Sequence, residues 1–127
     1  MTTCVIGSMR EYDRIQDIAG QLKQKGRKVL TPLDVSGDRF ADHVQAKNEF
    51  MRGMYDQIKQ CDAVLVVNDR TRNGIQGYIG PNTFLQLGMA MALGKTLYAL
   101  NKWDDKLPYD EELQAMGINV IDIQNRF

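Results

Sequence analysis

Two hydrophobic periods alternate along this chain, and that alternation restricts the fold more than any other feature. Short apolar runs stand at Thr3–Gly7 (TCVIG), Lys28–Thr31 (KVLT), Ala63–Val67 (AVLVV), Thr96–Leu100 and Asn119–Ile123. The segments between them carry apolar residues at helical spacing. In Glu11–Lys25, Ile15, Ile18, Ala19 and Leu22 fall at i, i+3, i+4 and i+7, and Gly26 is a natural stop. Ala41–Gln60 repeats the pattern through Val44, Phe50, Met54 and Ile58, and Asp110–Met116 forms a short helix. Strands alternating with helices predict right-handed crossovers and a parallel sheet covered on both faces. The expectation is one doubly wound, flavodoxin-like α/β domain over residues 1–127, with about five strands and a ligand crevice beyond their carboxyl ends.

The helix over Asn82–Leu93 departs from this amphipathic pattern. Phe84, Leu85, Leu87, Met89, Ala90, Met91 and Leu93 make it apolar on nearly every side. Such a helix needs cover on both faces, from the sheet and from a second subunit, so a homodimer or higher homo-oligomer is expected. The charge balance agrees: 16 Lys+Arg against 16 Asp+Glu give a formal net charge of zero. That leaves little self-repulsion and argues against sequence-independent nucleic-acid binding. Cys4 and Cys61 lie in or beside apolar segments without CxxC spacing, which suits free thiols in a reducing cytoplasm. With neither a signal peptide nor a membrane span in view, the chain reads as cytoplasmic. The single histidine, His43, has no ligand cluster at metal spacing. Gly7-Ser8-Met9-Arg10 is not a dinucleotide fingerprint. No metal and no cofactor are expected.

The residues just after the strands carry the chemistry. In Gly7-Ser8-Met9-Arg10, a glycine turn, a hydroxyl, exposed N–H groups and an arginine together suit an anion. A plain reading fits equally: Ser8 caps a helix and Arg10 is solvated. After the third strand come Asn68-Asp69 and a loop with Gly74, Gly77 and Gly80 around Tyr78. Pro81 suits a first helical turn, and Asn82 and Thr83 offer polar groups there. The glycine density favours a binding loop over a capped connection. Val35–Phe40 reads as a mobile loop. Trp103, Asp104 and Asp105 form either a rim or a solvated turn, and Glu111 and Glu112 suit a helix N-terminus. Gln86 is the odd residue, a polar group in an apolar helix. Burying it is costly unless it is paired, so it bonds to backbone or points into the crevice.

Taken together, Gly7-Ser8-Met9-Arg10, Cys61–Val66, Gly77–Gly88 and Ala92-Leu93-Gly94-Lys95 resemble the nucleoside 2-deoxyribosyltransferase-like superfamily, in order and over most of the chain. That group includes deoxyribosyltransferases, deoxynucleoside monophosphate N-hydrolases and a cytidylate hydrolase. The Gly-Ser-Met-Arg turn is similar to the one that holds the 5′-phosphate in the monophosphate hydrolases. The resemblance implies a nucleoside or nucleotide ligand. It places phosphate at Ser8 and Arg10, sugar near Gln86 and Asn82, and base toward the Tyr78 loop and Val35–Phe40. Gly7, Met9, Asn68, Asp69, Gly80 and Thr83 complete the implied binding set.

The family cleaves N-glycosidic bonds with retention. A helix glutamate attacks the anomeric carbon and forms a covalent glycosyl-enzyme. The matching position here is Gln86, a neutral amide, and the position of an assisting tyrosine on the first strand is Cys4. Loss of a covalent nucleophile costs roughly 10^4- to 10^6-fold in rate. Several accounts fit. The chain cleaves or transfers with an acid from elsewhere, such as Asp34, Asp62 or Asp69. It is a non-catalytic nucleotide sensor or sequestering module. Gln86 replaces a native glutamate by design. Or the fold serves only as a scaffold.

Overall fold

The computed structural model of the chain describes residues 1–32 and 44–124. Five strands form one parallel sheet in the order β2-β1-β3-β6-β7. They are β1 (Thr2–Gly7), β2 (Lys28–Leu30), β3 (Ala63–Val67), β6 (Thr96–Ala99) and β7 (Asn119–Val120). The intervening β4 (Thr71–Arg72) and β5 (Ile75–Gln76) pair antiparallel as a separate hairpin. With the hairpin set aside, this is the flavodoxin-like strand order.

β1 and β3 lie at the centre, in register from Thr3↔Ala63 to Gly7↔Val67. Every residue of β3 is buried, which explains its unbroken apolar run. Alternate side chains of the central strands feed two cores. Cys4, Ile6, Val64 and Val66 join Met54 and Ile58 of α2 (Val44–Lys59) and Leu87 and Ala90 of α3 (Pro81–Ala92). Val5, Leu65 and Val67 meet Ile15, Ile18, Ala19 and Leu22 of α1 (Tyr12–Gln24) on the other face. The four residues expected to form the buried stripe of α1 are thus its four buried residues. α4 (Asp110–Ala115) adds Leu113 to the first core and carries Asp110, Glu111 and Glu112 in its first turn.

Several local expectations change. The turn-rich stretch after Asp69 contains the β4–β5 hairpin. It closes through Asn73 and Gly74 at φ 54° and 74°, both left-handed as a type I′ turn requires. The last strand pairs over two residues instead of five. Gly80, not Asn82, is the N-cap of α3, with Pro81 opening the helix and Asn82 inside its first turn. Trp103 is neither rim nor solvated turn. It is buried in the first core, and its indole N–H donates to Asp110 Oδ1 at 2.7 Å. The expected Val35–Phe40 loop, Asp34 and His43 lie outside the described residues.

Candidate functional site

The switch point of a doubly wound sheet lies where successive connections leave in opposite directions, here between β1 and β3. A cleft of about 480 Å³ opens there, beyond the strands' carboxyl ends. Its floor begins at Gly7, the last residue of β1. A Cβ on Gly7 would stand 3.0 Å from the Val67 carbonyl oxygen, so the residue's small size lets β1 and β3 end side by side. The next residues, Ser8, Met9 and Arg10, line the same wall. Ser8 accepts a 3.3 Å bond from the Arg10 N–H and caps a short 3-10 turn over Met9–Glu11. The cap reading of Ser8 is therefore correct, and the capped turn borders the cleft.

The opposite wall comes from the glycine-rich loop and α3: Tyr78, Gly80, Pro81, Asn82, Thr83 and Gln86 all line the cleft. This loop is held from three sides. Asn68 Nδ2 donates to the Gly77 carbonyl at 3.2 Å. The Tyr78 N–H donates to the Arg70 carbonyl at 3.2 Å. The Tyr109 hydroxyl donates to the Ile79 carbonyl, while its ring stacks on Phe84 at a centroid distance of 4.4 Å. Burial and the nearby Tyr78 hydroxyl push the Tyr109 phenol above its ordinary pKa.

Gln86 sits one turn into α3 and is only 3% exposed, yet it faces the cleft. Its Oε1 is buried and meets no donor among the described residues. A well-packed core would satisfy such an oxygen at a cost of roughly 1–3 kcal/mol otherwise, so a ligand donor is its natural complement. Cys4 is buried in the first core with Cys61 and is not part of the cleft lining.

Asn68 and Asp69 do not line the cleft. Asn68 is buried and occupied by protein partners, donating to Gly77 and Asn101 carbonyls and accepting from the Asn101 N–H. Asp69 pairs with Arg14 at 2.6 Å, and this bond holds the Arg14 guanidinium above its ordinary pKa. Asp62 lies at the other end of the sheet, where its Oδ2 accepts from the Thr2 N–H at 2.8 Å. No carboxylate lines the cleft among the described residues.

Sequence reasoning missed five lining residues: Pro81, read only as a helix start, Lys47 and Phe50 from α2, and Arg70 and Arg72 at the hairpin. Arg70 Nη1 bonds Glu11 Oε1 at 2.9 Å, and both arginines approach the Tyr78 ring, at 5.8 and 5.7 Å from its centroid. Asn73-Gly74 was the available signal. That dipeptide is a strong hairpin marker, and folding back there carries Arg70 and Arg72 onto the Tyr78 side.

A flavodoxin-like sheet with a cleft at its switch point, lined among the described residues by Arg10, Lys47, Arg70 and Arg72, defines an α/β protein with a ligand crevice in the usual place for such folds. The family model described as nucleoside 2-deoxyribosyltransferase matches residues 6–121, and the chain belongs to that family. None of the curated proteins matches the sequence significantly. Among solved structures, a CMP N-glycosidase of Clostridium botulinum is similar, with a TM-score of 0.61, 20% identity and coverage of 96% of this chain and 88% of that one. A 2-deoxyribosyltransferase of Bacillus psychrosaccharolyticus is similar too, with a TM-score of 0.59, 13% identity and coverage of 80% and 74%. At these identities the likeness concerns the fold. No described helix is long and apolar enough to cross a membrane.

Proposed function

We propose that this chain binds a nucleoside 5′-phosphate in the switch-point cleft. The phosphate lies at the Ser8–Arg10 turn, and the sugar hydroxyls meet the Gln86 amide and Asn82. The base lies against Phe50, because the Tyr78 ring is already approached by two guanidinium groups. The observation that carries this reading is Gln86, which lines the cleft while its Oε1 is buried without a protein donor among the described residues. An amide both accepts and donates, so it suits a sugar hydroxyl.

Glycosidic cleavage by the family route needs a carboxylate at the anomeric carbon. Gln86 offers none, and of the alternative acids Asp62 and Asp69 are engaged elsewhere. Asp34 lies outside the described residues, and among those described the geometry favours a nucleotide-binding module that keeps the family pocket, over an active N-glycosidase or deoxyribosyltransferase. Incubation with deoxynucleoside and ribonucleoside monophosphates, with free base measured by chromatography, tests this. Base release only by Gln86→Glu is the expected result. Rapid release by the unaltered chain would refute the binding-only reading.

The protein acts in the cytoplasm as a homodimer through the outer face of α3. Leu85 and Met91 are 50% and 52% exposed on this helix, and a second copy would cover them.

A further inference from the structure

We infer that the cleft takes a nucleotide carrying more than one phosphate, with the group beyond the first held by Arg70 and Arg72. This rests on the nucleotide reading above and specifies its ligand class.

The charge of the lining carries the argument. Arg10, Lys47, Arg70 and Arg72 face one cleft, and no carboxylate lines it among the described residues. Like charges gathered around one cleft repel, and an anion is the arrangement that offsets them. A single phosphate at the Ser8–Arg10 turn is already served by the hydroxyl and one guanidinium. It leaves Arg72, and the second terminal nitrogen of Arg70, without an anion among the described residues.

Arg70 is placed next to that turn. Its Nη1 bonds Glu11, the residue after Arg10, at 2.9 Å. This ion pair fixes the guanidinium while Glu11 itself stays out of the lining. The other terminal nitrogen, Nη2, is buried and meets no acceptor among the described residues. An oriented guanidinium with one donor engaged and another unmatched is suited to a phosphate oxygen. Arg72 also lines the cleft and approaches the same ring, 5.7 Å from the Tyr78 centroid, where Arg70 stands 5.8 Å away. A chain of two phosphates leaving the Ser8–Arg10 turn toward Tyr78 meets Arg70 first and Arg72 beside it. The base then lies on the Phe50 side, away from this cationic wall.

Calorimetric titration of the full chain with nucleosides, 5′-monophosphates and 5′-diphosphates of each common base tests the inference. For the preferred base, the diphosphate is expected to bind at least about 10-fold more tightly than the monophosphate, the effect of one added charge-assisted contact. Arg72→Ala should abolish that preference while leaving monophosphate affinity within about twofold. Arg70→Lys, which keeps the charge and the partner Glu11 but loses the fork, should reduce it. Equal affinity for mono- and diphosphate overturns the second subsite and leaves the nucleotide reading standing. Binding of no nucleotide overturns both.

Discussion

The Asn68 side chain and the Asn101 backbone are bonded in both directions, Nδ2 donating to the Asn101 carbonyl at 2.7 Å and Oδ1 accepting from its N–H at 3.0 Å. One amide thus ties the end of β3 to the end of β6, and through Gly77 it also ties both to the cleft loop. Asn68 is 1% exposed; its bond to Gly77 is buried and its two bonds to Asn101 are partly so.

Asn68→Ala should therefore lower stability by about 3 kcal/mol, because it strands buried backbone groups. Asn68→Asp should be at least as damaging, since a carboxylate presents oxygen to two carbonyls and cannot donate to them. Chemical denaturation monitored by Trp103 fluorescence measures both. A stable Asn68→Ala variant with selectively weakened nucleotide binding would instead place Asn68 among the ligand contacts.

Gly77 is constrained for a different reason. Its φ is 63°, and a Cβ would overlap the Lys102 carbonyl oxygen. Gly77→Ala should cost about 3 kcal/mol, from the left-handed backbone and the collision together. Gly74 shares a positive φ with open space around it, so Gly74→Ala should cost clearly less. Parallel thermal melts compare the two.

The legible parts of the fold were those in which one physical requirement acts alone. β3 is buried on both faces and reads as AVLVV, and α1 buries one stripe and spaces it by helical turns. One cleft wall, Gly7–Arg10, was legible because it follows β1 directly, and the other, from Tyr78 to Gln86, because its glycines and Pro81 mark a loop opening a helix. The hairpin was harder. Its strands are two residues each and mostly polar, so no period-2 apolar pattern marks them, and Arg70 and Arg72 stayed hidden with it. Asn68 and Asp69 show the opposite limit. They follow a strand end as ligand-binding residues do, yet their side chains turn to Asn101 and Arg14. Position after a strand does not fix side-chain direction. Trp103 was misplaced because its flanking aspartates look solvated, while Asp110 supplies the buried partner from another element.

Tyr109 gives the protein an alkaline signature. Its folded pKa is raised, so the native state holds the phenolic proton more tightly than the unfolded chain. That stability is fully present below the ordinary tyrosine pKa, about 10, and is lost as pH rises through the higher folded value. Tyr109→Phe removes the bond to the Ile79 carbonyl and should cost about 1 kcal/mol near neutrality. The difference between wild type and variant should shrink above about pH 10. Denaturation at a series of pH values checks it, and a gap that widens with pH would contradict the assignment.

The dimer proposal is tested on the exposed side of α3. Leu85→Glu places a charge where 50% of the residue is open. It should leave the monomer's fold intact, within about 0.5 kcal/mol, and shift sedimentation from dimer to monomer. A wild-type protein that sediments as a monomer at high concentration removes the proposal.

The central claim is that the Ser8–Arg10 turn at the end of β1 holds the phosphate of a bound nucleotide. Calorimetric titration of wild type and Arg10→Ala with the best-bound nucleoside monophosphate tests it most directly. A loss of about 10- to 100-fold in affinity is expected, the effect of one charge-assisted contact, with affinity for the parent nucleoside unchanged. Equal binding of the monophosphate by the two proteins would contradict it.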